Sequence, residues 1–157
     1  MAEGEFALAT QALELALTSH TEWVGDHDLY AMLADAAAQQ CDEIALRRYA
    51  PLLEELALRY GHLLYQAIAH RAWGVAHRLA GETAASEGRL QQALDIFGSL
   101  GTRWQLGRTH FAWGELAVAQ GDVGAARHHF TQAQHLFAAM QAAPDLARTH
   151  KALALLA

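Results

Sequence analysis

The chain carries ten histidines in 157 residues. Histidine is the side chain best suited to moving a proton or holding a transition metal near neutral pH. A zinc site, however, needs three or four ligands converging on one point. His70 and His77 are two helical turns apart, as are His128 and His135. Two turns span about 11 Å, too far for one ion to bridge within a single helix. His129 points to another side of the same stretch. There is no HExxH motif and no clustered Cys/His spacing.

Other reactive types are equally unassembled. Cys41 is the single cysteine, has no evident partner base and reads as structural. Ser19, Ser86 and Ser99 are the only serines, and none sits in a GxSxG frame. No P-loop or GxGxxG occurs. His27-Asp28 is the dipeptide with which HD-type phosphohydrolases ligate metal, but no distal His and Asp set completes it. Glu54-Glu55 and Asp42-Glu43 read as solvated helix charges. The expectation is a chain that is not an enzyme, with no catalytic residue, no metal and no cofactor; the lesser alternative is a metal-dependent enzyme that uses His27, Asp28 and other histidines.

The histidines instead mark a period. His70, His110 and His150 are evenly spaced, and each reads as a repeated packing contact. Sliding the chain by 40 residues places 61–117 on 101–157 with 17 identities in 57 positions, ten of them neither Ala nor Leu. Gly61 falls on Gly101, Trp73-Gly74 on Trp113-Gly114, Gly81 on Gly121, and Phe97 on Phe137. Self-similarity at this spacing marks stacked supersecondary units. Within 101–140, one helix ends at Gly121-Asp122. Gly tolerates the left-handed conformation, and Asp can cap the helix that follows. Thr102 and Gln105 are spaced for a capping box. Val123, Ala126, Phe130, Ala133, Phe137 and Met140 then form a narrow apolar seam for another helix. Ser86, Leu90, Ala93, Phe97 and Leu100 do the same one unit earlier.

The expected fold is therefore all-α, a solenoid of stacked antiparallel helix pairs. It spans 1–157 as one domain, with half-repeat 1–20, repeats 21–60, 61–100 and 101–140, and half-repeat 141–157. Pro51 should kink its helix or begin it. Pro144-Asp145 should start the last helix.

Trp113-Gly114, Ala117, Gly121-Asp122, Ala126, Phe130 and Ala133 resemble the tetratricopeptide repeat. The stretch GTRWQLGRTHFAWGELAVAQGD is also similar to the arrays at the C-terminus of maltose-regulator-like activators and multidomain nucleotide cyclases of bacteria. That resemblance implies a right-handed solenoid acting as a protein-interaction or regulatory scaffold, a part of a larger signalling protein, with a concave groove lined by first-half helices. By register the groove takes Asp28, Ala31 and Asp35, then Arg71, Val75 and Arg78, then Arg108, Phe111 and Glu115, and finally Arg148 and Lys151. These later units offer five bases around one exposed aromatic, suited to a peptide or acidic protein partner. The Lys/Asn clamp of chaperone-binding members is not reproduced.

Net charge is −6, which disfavours nucleic acid. Residues 61–157, with six acids and eight bases, are the basic part. One cysteine and no long apolar run give the expectation of a cytoplasmic chain that does not enter membranes. Both ends fall on half-repeats, so the chain reads as a piece of a longer array. The alternative is self-association into a homo-oligomer through open ends, with Leu153 and Leu156 as the exposed apolar residues.

Overall fold

The computed structural model describes residues 3–18 and 25–156, with side chains from Phe6 onward. Eight helices are present: α1 (Glu3–Thr18), α2 (Asp26–Gln40), α3 (Glu43–Arg59), α4 (Leu63–Leu79), α5 (Thr83–Leu100), α6 (Arg103–Ala119), α7 (Val123–Ala139) and α8 (Ala143–Ala154). No strand occurs among the described residues. Ser19, Thr21 and Trp23 lie outside them. Each helix packs on the next in the chain, and α4 also touches α2 and α6.

The turns explain this spacing. From α2 to α8 a left-handed residue closes each helix junction, at Cys41, Gly61, Gly81, Gly101, Gly121 and Gln141. At Cys41 and Gln141 a side chain adopts a conformation that costs about 1–2 kcal/mol without glycine. Asp42 and Asp122 then accept from the amides of Ala45 at 3.0 Å and Ala125 at 2.8 Å, as N-caps should. Thr102 does not form the expected capping box. Its hydroxyl donates to the Phe97 carbonyl, and Gln105 is taken by Arg71. Helix α3 runs through Pro51 without interruption, started by the Asp42 cap two turns earlier.

The seams are the core. Leu46, Ala50, Leu53 and Ala57 of α3, Ser86, Leu90, Ala93 and Phe97 of α5, and Ala126, Phe130, Ala133 and Phe137 of α7 are at most 2% exposed. Leu100 and Val123, at the ends of their seams, are exposed instead. Paired helices meet where one of them carries glycine. A Cβ on Gly114 would lie 2.5 Å from the Phe130 ring, one on Gly107 2.7 Å from Phe137, and one on Gly74 2.7 Å from Leu90. The Ser86 hydroxyl donates to the Gly74 carbonyl at 2.7 Å inside this seam.

Gly114→Ala should therefore destabilise the fold by about 1–3 kcal/mol, because overpacking outweighs the gain in helix propensity. Gly88→Ala, where a Cβ meets nothing within 4 Å, should stabilise by up to about 1 kcal/mol. Urea unfolding of the two variants checks this. A gain in both would mean that the Phe130 ring does not sit on Gly114.

Candidate functional site

Two carboxylates hold four arginines on the face shared by α2, α4, α6 and α8. Asp35 accepts from Arg71 Nη2 at 3.0 Å and from Arg108 Nη1 at 2.7 Å. Arg71 is 3% exposed. It also donates to the backbone carbonyl and the side chain of Gln105, and lies 5.4 Å over the Phe97 ring. Burial lowers its pKa to about 10 against the opposing pull of Asp35, so it stays charged at neutral pH. Glu115 accepts from Arg78 and Arg148, each at 3.1 Å. Arg148 lies 4.1 Å over the Phe111 ring. Arg108 lies 4.8 Å over Trp104, whose indole N–H donates to Asp145 at 3.0 Å.

This arrangement corrects the expected open basic groove. Phe111 is only 7% exposed, covered by Arg148 and packed on Phe130 at 5.2 Å between ring centroids. Val75 and Ala31 are buried as well. Arg71, Arg78 and Arg108 form the wall, while Arg148 and the exposed Lys151 reach solvent. Asp28 is engaged elsewhere. It accepts from the Tyr65 hydroxyl, and burial first and that bond second push Tyr65 up to about 12.

The centre of the face encloses about 30 Å³ beside Val75, Arg108, Phe111 and Arg148, enough for about a single water. A larger groove of about 360 Å³ opens beside it, lined by Phe111, Val118, Phe130, Leu155 and Leu156, with Arg78 and Glu115 at its side. Leu153 and Leu156, expected to be unpaired, are half-buried against the cluster of Phe111, Phe130 and Phe137. The outward residue is Leu155, 79% exposed.

On the opposite flank the histidines pack as pairs. Arg89 donates to His70 at 2.8 Å, pairs with Glu54 and lies 5.7 Å over Trp73, whose indole donates to Glu54 at 2.9 Å. Glu54 is thus half-buried and bridging, contrary to its reading as a solvated charge. Forty residues on, His110 meets His129 with Nδ1 atoms 3.1 Å apart, and His129 stacks on Trp113 at 5.0 Å. His150, third in the series, is exposed. Nothing in the one-dimensional pattern distinguished these bridging roles, because each partner comes from a different helix.

The ring centroids of His110 and His129 are 5.4 Å apart, so the two nitrogens face each other along nearly the line between the rings. That geometry suits one N–H···N bond and leaves no place for an ion about 2 Å from both. His27 is buried with its ring against His62 and Tyr65. Among the described residues no three His, Cys, Asp or Glu side chains gather in a way that could hold a metal. Cys41 is exposed, 4.0 Å from Arg78 Nη2. No described helix is long and apolar enough to cross a membrane.

No protein-family model and no curated protein matches the chain. The chemistry open to this face follows from its own geometry, an arginine-rich surface with a shallow centre and an apolar groove at one end.

Asp35→Asn should cost about 3–5 kcal/mol, because it leaves the buried Arg71 without its counter-charge. Glu43→Gln, which breaks an exposed pair with Arg47, should cost at most about 1 kcal/mol. Equal losses in urea unfolding would show that Asp35 does not bridge. Acid should act through His129, whose pKa is lowered to about 4 by burial, then by His110 and His128. Between an ordinary histidine value of about 6.5 and that value the unfolded chain binds the extra proton. Stability should therefore be full above that window and fall as pH drops through it. His129→Gln should flatten the urea midpoint against pH there, and an unchanged slope would assign it to other groups.

Proposed function

We propose that the chain is a tetratricopeptide-like solenoid with a 40-residue period, acting as a protein-interaction or regulatory scaffold that takes an acidic segment of a partner across the α4–α6–α8 face. Helix starts every twenty residues from Glu43 to Ala143, left-handed residues at the same interval and buried seams in α3, α5 and α7 support the repeated architecture. The observation that carries the function is an uneven balance. Arg71, Arg78, Arg108, Arg148 and Lys151 stand against Asp35, Glu115 and Asp145, so bases exceed acids by two. This excess lies beside the groove of about 360 Å³. A carboxylate of the partner pairs with Arg148, the arginine of this face most open to water at 39%, and an apolar side chain enters the groove beside Leu155. The shallow centre favours a peptide laid across the surface over a small substrate enclosed within it. The resemblance to the arrays of bacterial signalling proteins supports a cytoplasmic regulatory setting and a larger parent protein.

Calorimetry with short Asp/Glu-rich peptides carrying one Leu or Phe tests this reading. Arg148→Gln should weaken binding about tenfold, the worth of a charged hydrogen bond. Leu155→Asp should weaken it further, and added salt should act in the same direction. If glutamine-substituted peptides bind as well as acidic ones, the charge reading fails.

A further inference from the structure

Arg148 is tied less firmly than the arginine that holds its place forty residues earlier. That residue, Arg108, is 10% exposed, and Asp35 holds it at 2.7 Å together with Arg71. Where Arg71 stands in that unit, the later unit has Phe111. A ring offers a guanidinium its face but no lone pair. Arg148 accordingly rests on Phe111, 4.1 Å from the centroid. Among the described residues its one hydrogen bond runs to Glu115 at 3.1 Å. Glu115 does not depend on it, since Arg78 donates to the same carboxylate at 3.1 Å. The place Arg148 fills suits another group. A guanidinium is planar and stacks on a ring much as an aromatic side chain does. Phe111 and Glu115 border both the central hollow of about 30 Å³ and the groove of about 360 Å³, and Arg148 lines the hollow.

We propose that Arg148 is a movable cover on Phe111. A carboxylate of the partner draws the guanidinium away, and an aromatic side chain next to that carboxylate takes its place on the ring. This rests on the reading of the face as a site for an acidic segment, and it names the apolar residue of that segment as aromatic. Three features fit the exchange. Withdrawing Arg148 leaves no carboxylate unpaired, because Arg78 stays on Glu115. An arginine that gives up one exposed ion pair for another loses little. Lys151, exposed and three residues further along α8, adds a second charge for the acid on the same side of the helix. With the cover in place a ligand that has a ring but no acid loses affinity, because the competent state is only a fraction of the whole. The free protein thus shows a charged surface, and the ring opens to a ligand that brings its own carboxylate.

NMR titration with three short peptides tests this. One carries Phe between Glu residues, the second Phe between Gln residues, and the third Leu between Gln residues. The unmodified chain should bind the acidic peptide about tenfold tighter than the neutral Phe peptide. Arg148→Ala puts a strong helix former at a half-exposed position and removes cover and charge together. This variant should bind the neutral Phe peptide about tenfold tighter than the unmodified chain does, the gain expected when the cover is closed about nine-tenths of the time. Its hold on the acidic peptide should fall, and the neutral Leu peptide should gain clearly less than the neutral Phe peptide. Circular dichroism confirms that helicity is kept. No gain for the neutral Phe peptide, or an equal gain for the Leu peptide, overturns the proposal. The two readings fail differently. Equal binding of acidic and neutral Phe peptides to the unmodified chain removes the acidic-partner reading and the cover with it. A kept preference for the acidic peptide with no gain in Arg148→Ala removes the cover alone.

Discussion

A guanidinium with almost no access to water must be paired where it lies, and Arg71 is where this structure meets that demand. Its partners come from the helices on either side, Asp35 from α2 and Gln105 from α6. The observed placement of the three helices satisfies it. Attraction between buried charges roughly offsets the cost of removing them from water. We read the pair as a device for registry more than for stability. Asp35 extends the same logic by taking Arg108 on its second oxygen. One carboxylate thus spans contacts 36 and 73 residues away in the chain.

The opposite flank shows what happens when a counter-charge is withdrawn. Around Trp73, Glu54 neutralises Arg89 beside His70. One period later Leu94 occupies the place of Glu54, and His129 replaces Arg89. An arginine there would be a half-buried charge without an acid. Histidine keeps the stacking on tryptophan and the bond to the neighbouring histidine, and it can shed its proton. The lowered pKa values of His129 and His110, each due first to burial, express that choice. His70, His110 and His129 thus take part in local packing and charge balance.

Much of the helix framework was legible because its determinants are local. Glycine after α3, α4, α5 and α6, aspartate at the cap and apolar residues at three- and four-residue steps act within a few positions. Asp122 caps as its place in the sequence suggests, Asp42 caps too although it reads as a solvated charge, and the inner seam residues are buried as their spacing suggests. Thr102 shows the limit, since its capping role yields to a tertiary demand on Gln105. The surface was legible by residue type but not by state. Register puts Arg71, Arg108 and Phe111 on one side of their helices. It does not reveal that Asp35 reaches both arginines or that Arg148 covers the ring. Leu153 and Leu156 failed for a related reason: an apolar residue in the last helix looks unpaired until its angle to α7 is known.

The two bridging carboxylates differ in what a partner could ask of them. Asp35 holds an arginine that is nearly free of water, so displacing it would leave a buried charge at a cost of several kcal/mol. No carboxylate approaching from solvent recovers that cost while Arg71 stays beneath the surface. Glu115 holds Arg148, which is open to solvent, and exposed pairs exchange partners at little cost. The Asp35 pairs are the more enclosed, and the Arg148–Glu115 pair is the more open to solvent. The apolar groove opens on that same solvent-open side, beside Phe111 and Leu155. A binding partner would thus find charge and apolar surface where the internal network is weakest, while Arg71 and Asp35 keep the underlying helices in place.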